Sequence, residues 1–128
     1  MEKILAFQVK DKELEKLKQI VGSMKIKLQV TEKSDFCQRI GDLLEQKKNP
    51  LLGSYEGEAV TESMIVLEDF SDKKLDALLR ALKRDGVSIA FKAVATPTNR
   101  KWTVLQLYFE MEKERKAYLD LTSFQRSL

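Results

Sequence analysis

Residues 95–103 read Ala-Thr-Pro-Thr-Asn-Arg-Lys-Trp-Thr, gathering hydroxyls, an amide and two cations around one of only two prolines in the chain. Pro97 fixes its own φ and holds the residue before it extended, so a strand must stop there. Thr98 or Asn99 then suits the N-cap of a following helix, its side-chain oxygen accepting from a backbone N–H that the helix leaves unpaired. Arg100 and Lys101 fall in the first turn of that helix, where their charge opposes the helix dipole. A bound anion would relieve the conflict. The candidate ligand-binding set is therefore Lys92, Thr96, Thr98, Asn99 and Arg100, aimed at a small anion or at a carboxylate on a partner. The competing reading is architectural: a strand stop and helix cap whose cations point into water.

Other chemistry is sparse. No histidine occurs, which removes Ser-His and Cys-His nucleophile pairs and histidine metal ligation. The single cysteine, Cys37, cannot form an internal disulfide and reads as an inert, partly buried thiol in a reducing compartment. Glu68-Asp69 follows a strand, where paired carboxylates can hold Mg²⁺, but adjacent acids in a turn are more often simply solvated. No glycine-rich phosphate loop is present. These absences assign no catalytic residue, no metal and no cofactor. The 23 basic and 20 acidic residues are interleaved, with no basic stripe for nucleic acid. With no apolar run long enough for a membrane span or a signal peptide, the expectation is a cytoplasmic protein that is not an enzyme.

The elements that must carry these residues alternate. Residues 3–9 read as a strand, and Leu14, Leu17 and Val21 mark a helix starting at Asp11 and closed by Gly22. Residues 25–30 alternate as a second strand, and Ser34 caps a second helix carrying Phe36, Ile40, Leu43 and Leu44. After a connector over 47–62, with Pro50, Gly53 and Gly57, the order repeats. Residues 64–67 form a strand, Ser71 caps a helix that ends at Gly86, and 87–92 form the fourth strand. The last helix begins at Trp102 and runs to Leu119, with Trp102 reading as core, and 120–128 read as a tail. A shift of 61 residues pairs Ile4, Asp11, Lys12, Leu14 and Leu17 with identical residues, and Ile26, Leu28 and Val30 with Val87, Ile89 and Phe91. The expected fold is a single α/β domain over 1–128, an α+β two-layer arrangement of tandem βαβα units (1–46 and 63–119). Its four-stranded sheet carries helices mainly on one face. Strand 64–67, apolar at every position, would then leave surface for a dimer partner or a docked tail to cover.

The stretches Phe70–Leu79, Gly86-Val87-Ser88-Ile89 and Lys92-Ala93-Val94, followed by Thr96-Pro97-Thr98-Asn99 and Trp102, resemble a bacterial domain family of unknown function. Its hallmark is a strand running into Thr-Pro-Thr-Asn before a final helix. The resemblance covers about residues 63–113 and implies a bacterial, cytoplasmic protein whose emphasis lies on that junction; it carries over no activity and no cofactor. At its matching turn, Thr31–Asp35, the first half lacks the pattern. The expected function is a small binding or regulatory module recognising an anionic ligand at Thr96–Asn99. The rival is a structural module that forms a homodimer, and neither nucleic acid nor membrane is an expected partner.

Overall fold

Apolar residues three and four apart make the helices here, and short β-rich runs between them make the strands. The computed structural model describes residues 1–57 and 60–127, with side chains through residue 119. The first half holds β1 (Lys3–Phe7), α1 (Asp11–Met24), β2 (Lys27–Thr31), a 3-10 turn (Lys33–Cys37) and a short α2 (Ile40–Leu44). The second holds β3 (Met64–Glu68), α3 (Asp72–Arg84), β4 (Phe91–Val94), a 3-10 turn (Asn99–Lys101) and α4 (Val104–Ser127). The sheet order is β2-β1-β3-β4. β1 and β2 are parallel, as are β3 and β4, whereas β1 and β3 run antiparallel.

The α/β class, the four strands and the tandem βαβα order are those the sequence predicts. Ile4, Ala6, Ile65 and Leu67 point to one face, where α1 and α3 bury them under Leu17, Ile20, Leu78 and Leu82. Leu5, Phe7, Met64 and Val66 point to the other, and each is fully buried. This second face is closed by shorter pieces: Phe36, Ile40 and Leu43 from the first half, Val104, Leu107 and Tyr108 from the first turns of α4. The apolar surface of strand 64–67 is thus covered within the chain.

The repeat is visible in the backbone. Gln8 and Asp69 follow their strands with φ of 55° and 64°, while Lys25 and Gly86 follow their helices with φ of 57° and 68°. Both pairs lie 61 positions apart. Ile26 N–H donates to Val21 O and Val87 N–H to Leu82 O, each at 2.9 Å, so the two helix exits match. Beyond this point the offset becomes 64, because β1 Lys3 faces Lys27 whereas β3 Met64 faces Phe91. The residues aligned with Leu28 and Val30 are Lys92 and Val94, not Ile89 and Phe91. The inserted residues are those leading into β4, where Ser63 holds the chain: its Oγ accepts from Ala90 N–H and its carbonyl from Phe91 N–H. Val87 and Ile89 are buried beside α3 before β4 begins, which is why their alternation resembles a strand.

Several boundaries move for local reasons. Gly22 does not end α1; the helix continues to Met24 and closes on left-handed Lys25. Asp11 is its first residue, and Lys10 holds the cap position with no side-chain bond. The helix expected after Ser34 is split, because Gln38 and Arg39 are extended between the 3-10 turn and α2. Ser71 caps α3 as expected, its Oγ accepting from Lys74 N–H. With neither glycine nor proline after Pro97, α4 continues to Ser127 through the segment read as a tail; Leu128 lies outside the described residues.

Lys25 and Gly86 share one left-handed geometry with different costs, since a Cβ there is disfavoured by about 1–2 kcal/mol. A Cβ built on Gly86 meets nothing within 4 Å, so only the backbone term operates. Lys25→Gly should raise stability by about 0.5–1 kcal/mol and Gly86→Ala should lower it by about 1 kcal/mol. Urea unfolding checks both; equal signs for the two would refute matched geometry.

Candidate functional site

At the end of β4, the backbone must leave the sheet without orphaning its polar groups. Thr96 N–H donates to Asn99 Oδ1 at 2.8 Å, and Asn99 N–H donates back to Thr96 Oγ1 at 3.0 Å. Asn99 Nδ2 donates to Val94 O at 2.9 Å, and the residue is buried. The pair forms a reciprocal box around the turn. Thr98, by contrast, is exposed and caps nothing with its side chain. The same box stands in the first half, 64 positions earlier: Glu32 N–H donates to Asp35 Oδ2 at 3.2 Å, and the Glu32 side chain accepts from Asp35 N–H. The first half lacks the Thr-Pro-Thr-Asn residues but keeps their geometry, with acids in place of threonine and asparagine.

The two junctions clasp each other. Ile40 N–H donates to Trp102 O at 2.9 Å and Val104 N–H to Gln38 O at 3.0 Å, around the Arg39–Thr103 bridge. Trp102 is therefore extended and half-buried, not the first residue of a helix. The N-cap of α4 is Thr103, whose Oγ1 accepts from Gln106 N–H at 3.2 Å while Gln106 Oε1 accepts from Thr103 N–H at 2.8 Å. That Thr-x-x-Gln box was present in the sequence and is the signal missed by reading Thr98 or Asn99 as the cap.

Arg100 and Lys101 accordingly precede α4 instead of opposing its dipole. Arg100 donates to the Glu68 carboxylate and lies 3.7 Å from Glu45, so two acids of the chain supply the compensation expected of an anion. Gly41 allows a close approach here: a Cβ would sit 3.0 Å from Arg100 O, tight enough that the neighbouring backbone would have to give by a few tenths of an ångström. Lys3 pairs across the ladder with Glu68, is buried and donates to Leu44 O at 2.7 Å. Burial holds its ammonium below the usual lysine range, nearby Lys27 adds to this, and Glu68 opposes it.

Four of the five predicted residues do come together. Lys92, Thr96, Thr98 and Asn99 line a cavity of about 350 Å³ between β4 and α4, with Trp102, Met111, Glu110 and Glu114 on its other wall. Arg100 is not among them. Lys92 Nζ donates to Ile89 O at 3.2 Å. A second cavity of about 430 Å³ adjoins it, lined by Trp102, Gln106, Phe109, Glu110 and Lys113, so Trp102 and Glu110 belong to both. Other hollows, of about 440 and 530 Å³, lie near the start of α1 and beside the end of α3, the second sharing Lys92 with the junction cavity.

Residues 63–118 match the model of a family described as a domain of unknown function (DUF3783). The match runs from β3 into α4, the half that carries both cavities. No curated protein and no solved structure matches the chain. Among the described residues no helix is long and apolar enough to cross a membrane.

Asn99→Ala removes two side-chain bonds and leaves the Thr96 N–H and the Val94 carbonyl without their partner, which should cost about 2–3 kcal/mol, whereas Thr98→Ala should stay within about 0.5 kcal/mol. Chemical unfolding of both variants checks the contrast. Lys3 gives a pH signature: a lowered folded-state pKa penalises folding below that pKa, and the penalty fades as pH rises toward the unfolded value of 10.5. Lys3→Met should therefore be relatively more stable than wild type at pH 7, with the gap closing by about pH 10. A gap that widens with pH would contradict this.

Proposed function

We propose that the protein is a binding module whose recognition face is the trough formed by the two cavities around Trp102, and that it takes an extended segment of a partner protein. The carrying observation is the open outer side of β4 beside that trough. Phe91 and Ala95 turn their amides toward β3, donating to Ser63 O and Leu67 O. Strand alternation then turns the Lys92 and Val94 amides outward, at the edge of the sheet. An extended chain can pair with such an edge while its side chains enter the adjoining hollows.

The same geometry argues against a free anion at the junction. An anion needs several uncommitted donors converging on one point. The Thr96 N–H is spent on Asn99, Asn99 donates to Thr96 and Val94, Arg100 faces Glu68, and Lys92 faces the Ile89 carbonyl. The exposed sheet face that motivated a homodimer is closed by α2 and α4.

Trp102 is the only tryptophan and lines both cavities, so its emission reports on the trough. Peptides selected from a random library on the full chain should shift that emission. Val94→Pro, which removes an outward amide that the fold does not use, should weaken them by about tenfold or more while leaving the melting temperature near wild type. Selected peptides indifferent to Val94→Pro, or silent in Trp102 emission, would overturn the proposal.

A further inference from the structure

We infer, building on that reading of the trough, that its partner is a basic extended segment, which lays a lysine or arginine across Trp102 beside Glu110 and Glu114. The first half supplies the precedent. The residues 64 positions before Asn99 and Trp102 are Asp35 and Gln38, at the matched junction. There the chain folds back after α2, turning at Gln46 with φ of 57°, and its own residues 48–49 lie over the junction. Gln38 Nε2 donates to Asn49 O at 3.0 Å and Asn49 N–H donates to Gln38 Oε1 at 2.8 Å, gripping the backbone of the returning segment. Lys48 Nζ lies 3.0 Å from Asp35 Oδ1. One copy of this surface is thus occupied by a lysine-bearing stretch of the same chain.

In the second copy no described residue folds back over the junction, because α4 continues where α2 stops. The gripping residues change with it. An indole replaces the Gln38 amide and offers a face for a cation instead of hydrogen bonds for a backbone. Neutral Asn99, its amide already committed, replaces Asp35. The negative charge reappears one wall away, on Glu110 and Glu114, which form no ion pair among the described residues. Lys92 points its ammonium at Ile89 O, and Lys113 lines the outer cavity with Glu110 without an ion pair to it. A cation entering over the indole therefore meets two uncommitted carboxylates.

The test uses three synthetic peptides, acetyl-Thr-Val-Xaa-Val-Pro-Thr-amide with Xaa arginine, norleucine or glutamate, titrated into the full chain. Trp102 emission and backbone NMR shifts of β4 and α4 report binding. The arginine peptide should bind about three- to tenfold more tightly than the norleucine peptide, the scale of an exposed ion pair, and the glutamate peptide most weakly. Glu110→Gln with Glu114→Gln should erase the arginine preference, bringing the arginine and norleucine peptides to the same affinity, with the melting temperature unchanged. Equal affinity for arginine and norleucine peptides would overturn the basic-partner inference and leave the trough standing as a site. Failure of all three to move Trp102 or the β4 and α4 shifts would overturn the inference and the binding face together.

Discussion

The antiparallel ladder between β1 and β3 sets everything else in this fold. Leu5 faces Val66 across it, and these two residues occupy the same place in the two halves. A pairing of equivalent residues places an approximate two-fold axis between them, so whatever β1 does to its surroundings β3 repeats on the opposite side. The alternation of Ile4, Leu5, Ala6 and Phe7 sends side chains to both faces, and β3 does the same with Met64 to Leu67. Neither half can bury both faces alone. Each supplies a helix for the α1/α3 layer and a junction for the other face, and removing either central strand would leave the partner strand half exposed.

The second clasp follows from the first. With the halves related in this way, Arg39 and Thr103 are brought face to face, and the amides beside them reach across to Gln38 and Trp102. That contact needs extended backbone just before α2 and α4, which the Glu32–Asp35 and Thr96–Asn99 boxes provide by turning the chain tightly out of β2 and β4. Thr-Pro-Thr-Asn is conspicuous because it contains a proline, yet Glu-Lys-Ser-Asp builds the matching turn with none. The polar atoms at both places close backbone circuits before any ligand arrives.

Much of this was legible in the residues because it depends on local periodicity. Leu14, Leu17 and Val21 place α1, Ser71 marks the start of α3, and Gly86 marks its exit. The order of elements and the repeat follow from these. What stayed hidden depends on contacts distant in sequence. Val87 and Ile89 alternate like a strand, but α3 buries them before β4 begins, and only the Ser63 contact shows where the ladder restarts. The break at Gln38-Arg39 is invisible to periodicity, since Phe36 and Ile40 keep helical spacing across it; a clasp with the other half imposes it. The partners of Arg100 were equally out of reach. Glu45 and Glu68 lie far apart in sequence, and only the packing of α2 on the Asn99–Lys101 turn, beside the end of β3, brings them to one guanidinium.

Two related halves also act as controls for each other. A feature that both share, such as the box or the left-handed helix exit, is accounted for by the needs of the fold. A feature that only one has requires another reason. By this standard the reciprocal box of Thr96 and Asn99 is accounted for by the fold, because Glu32 and Asp35 make the matching pair of bonds with different side chains. Trp102 keeps its claim. Its counterpart, Gln38, has a backbone to hold, while Trp102 presents a half-buried indole to a trough that the continuing α4 leaves unfilled. The matched position carries a polar grip in the first half, whereas Trp102 packs against the core and also lines both cavities, and this asymmetry is what sets the second junction apart from the first.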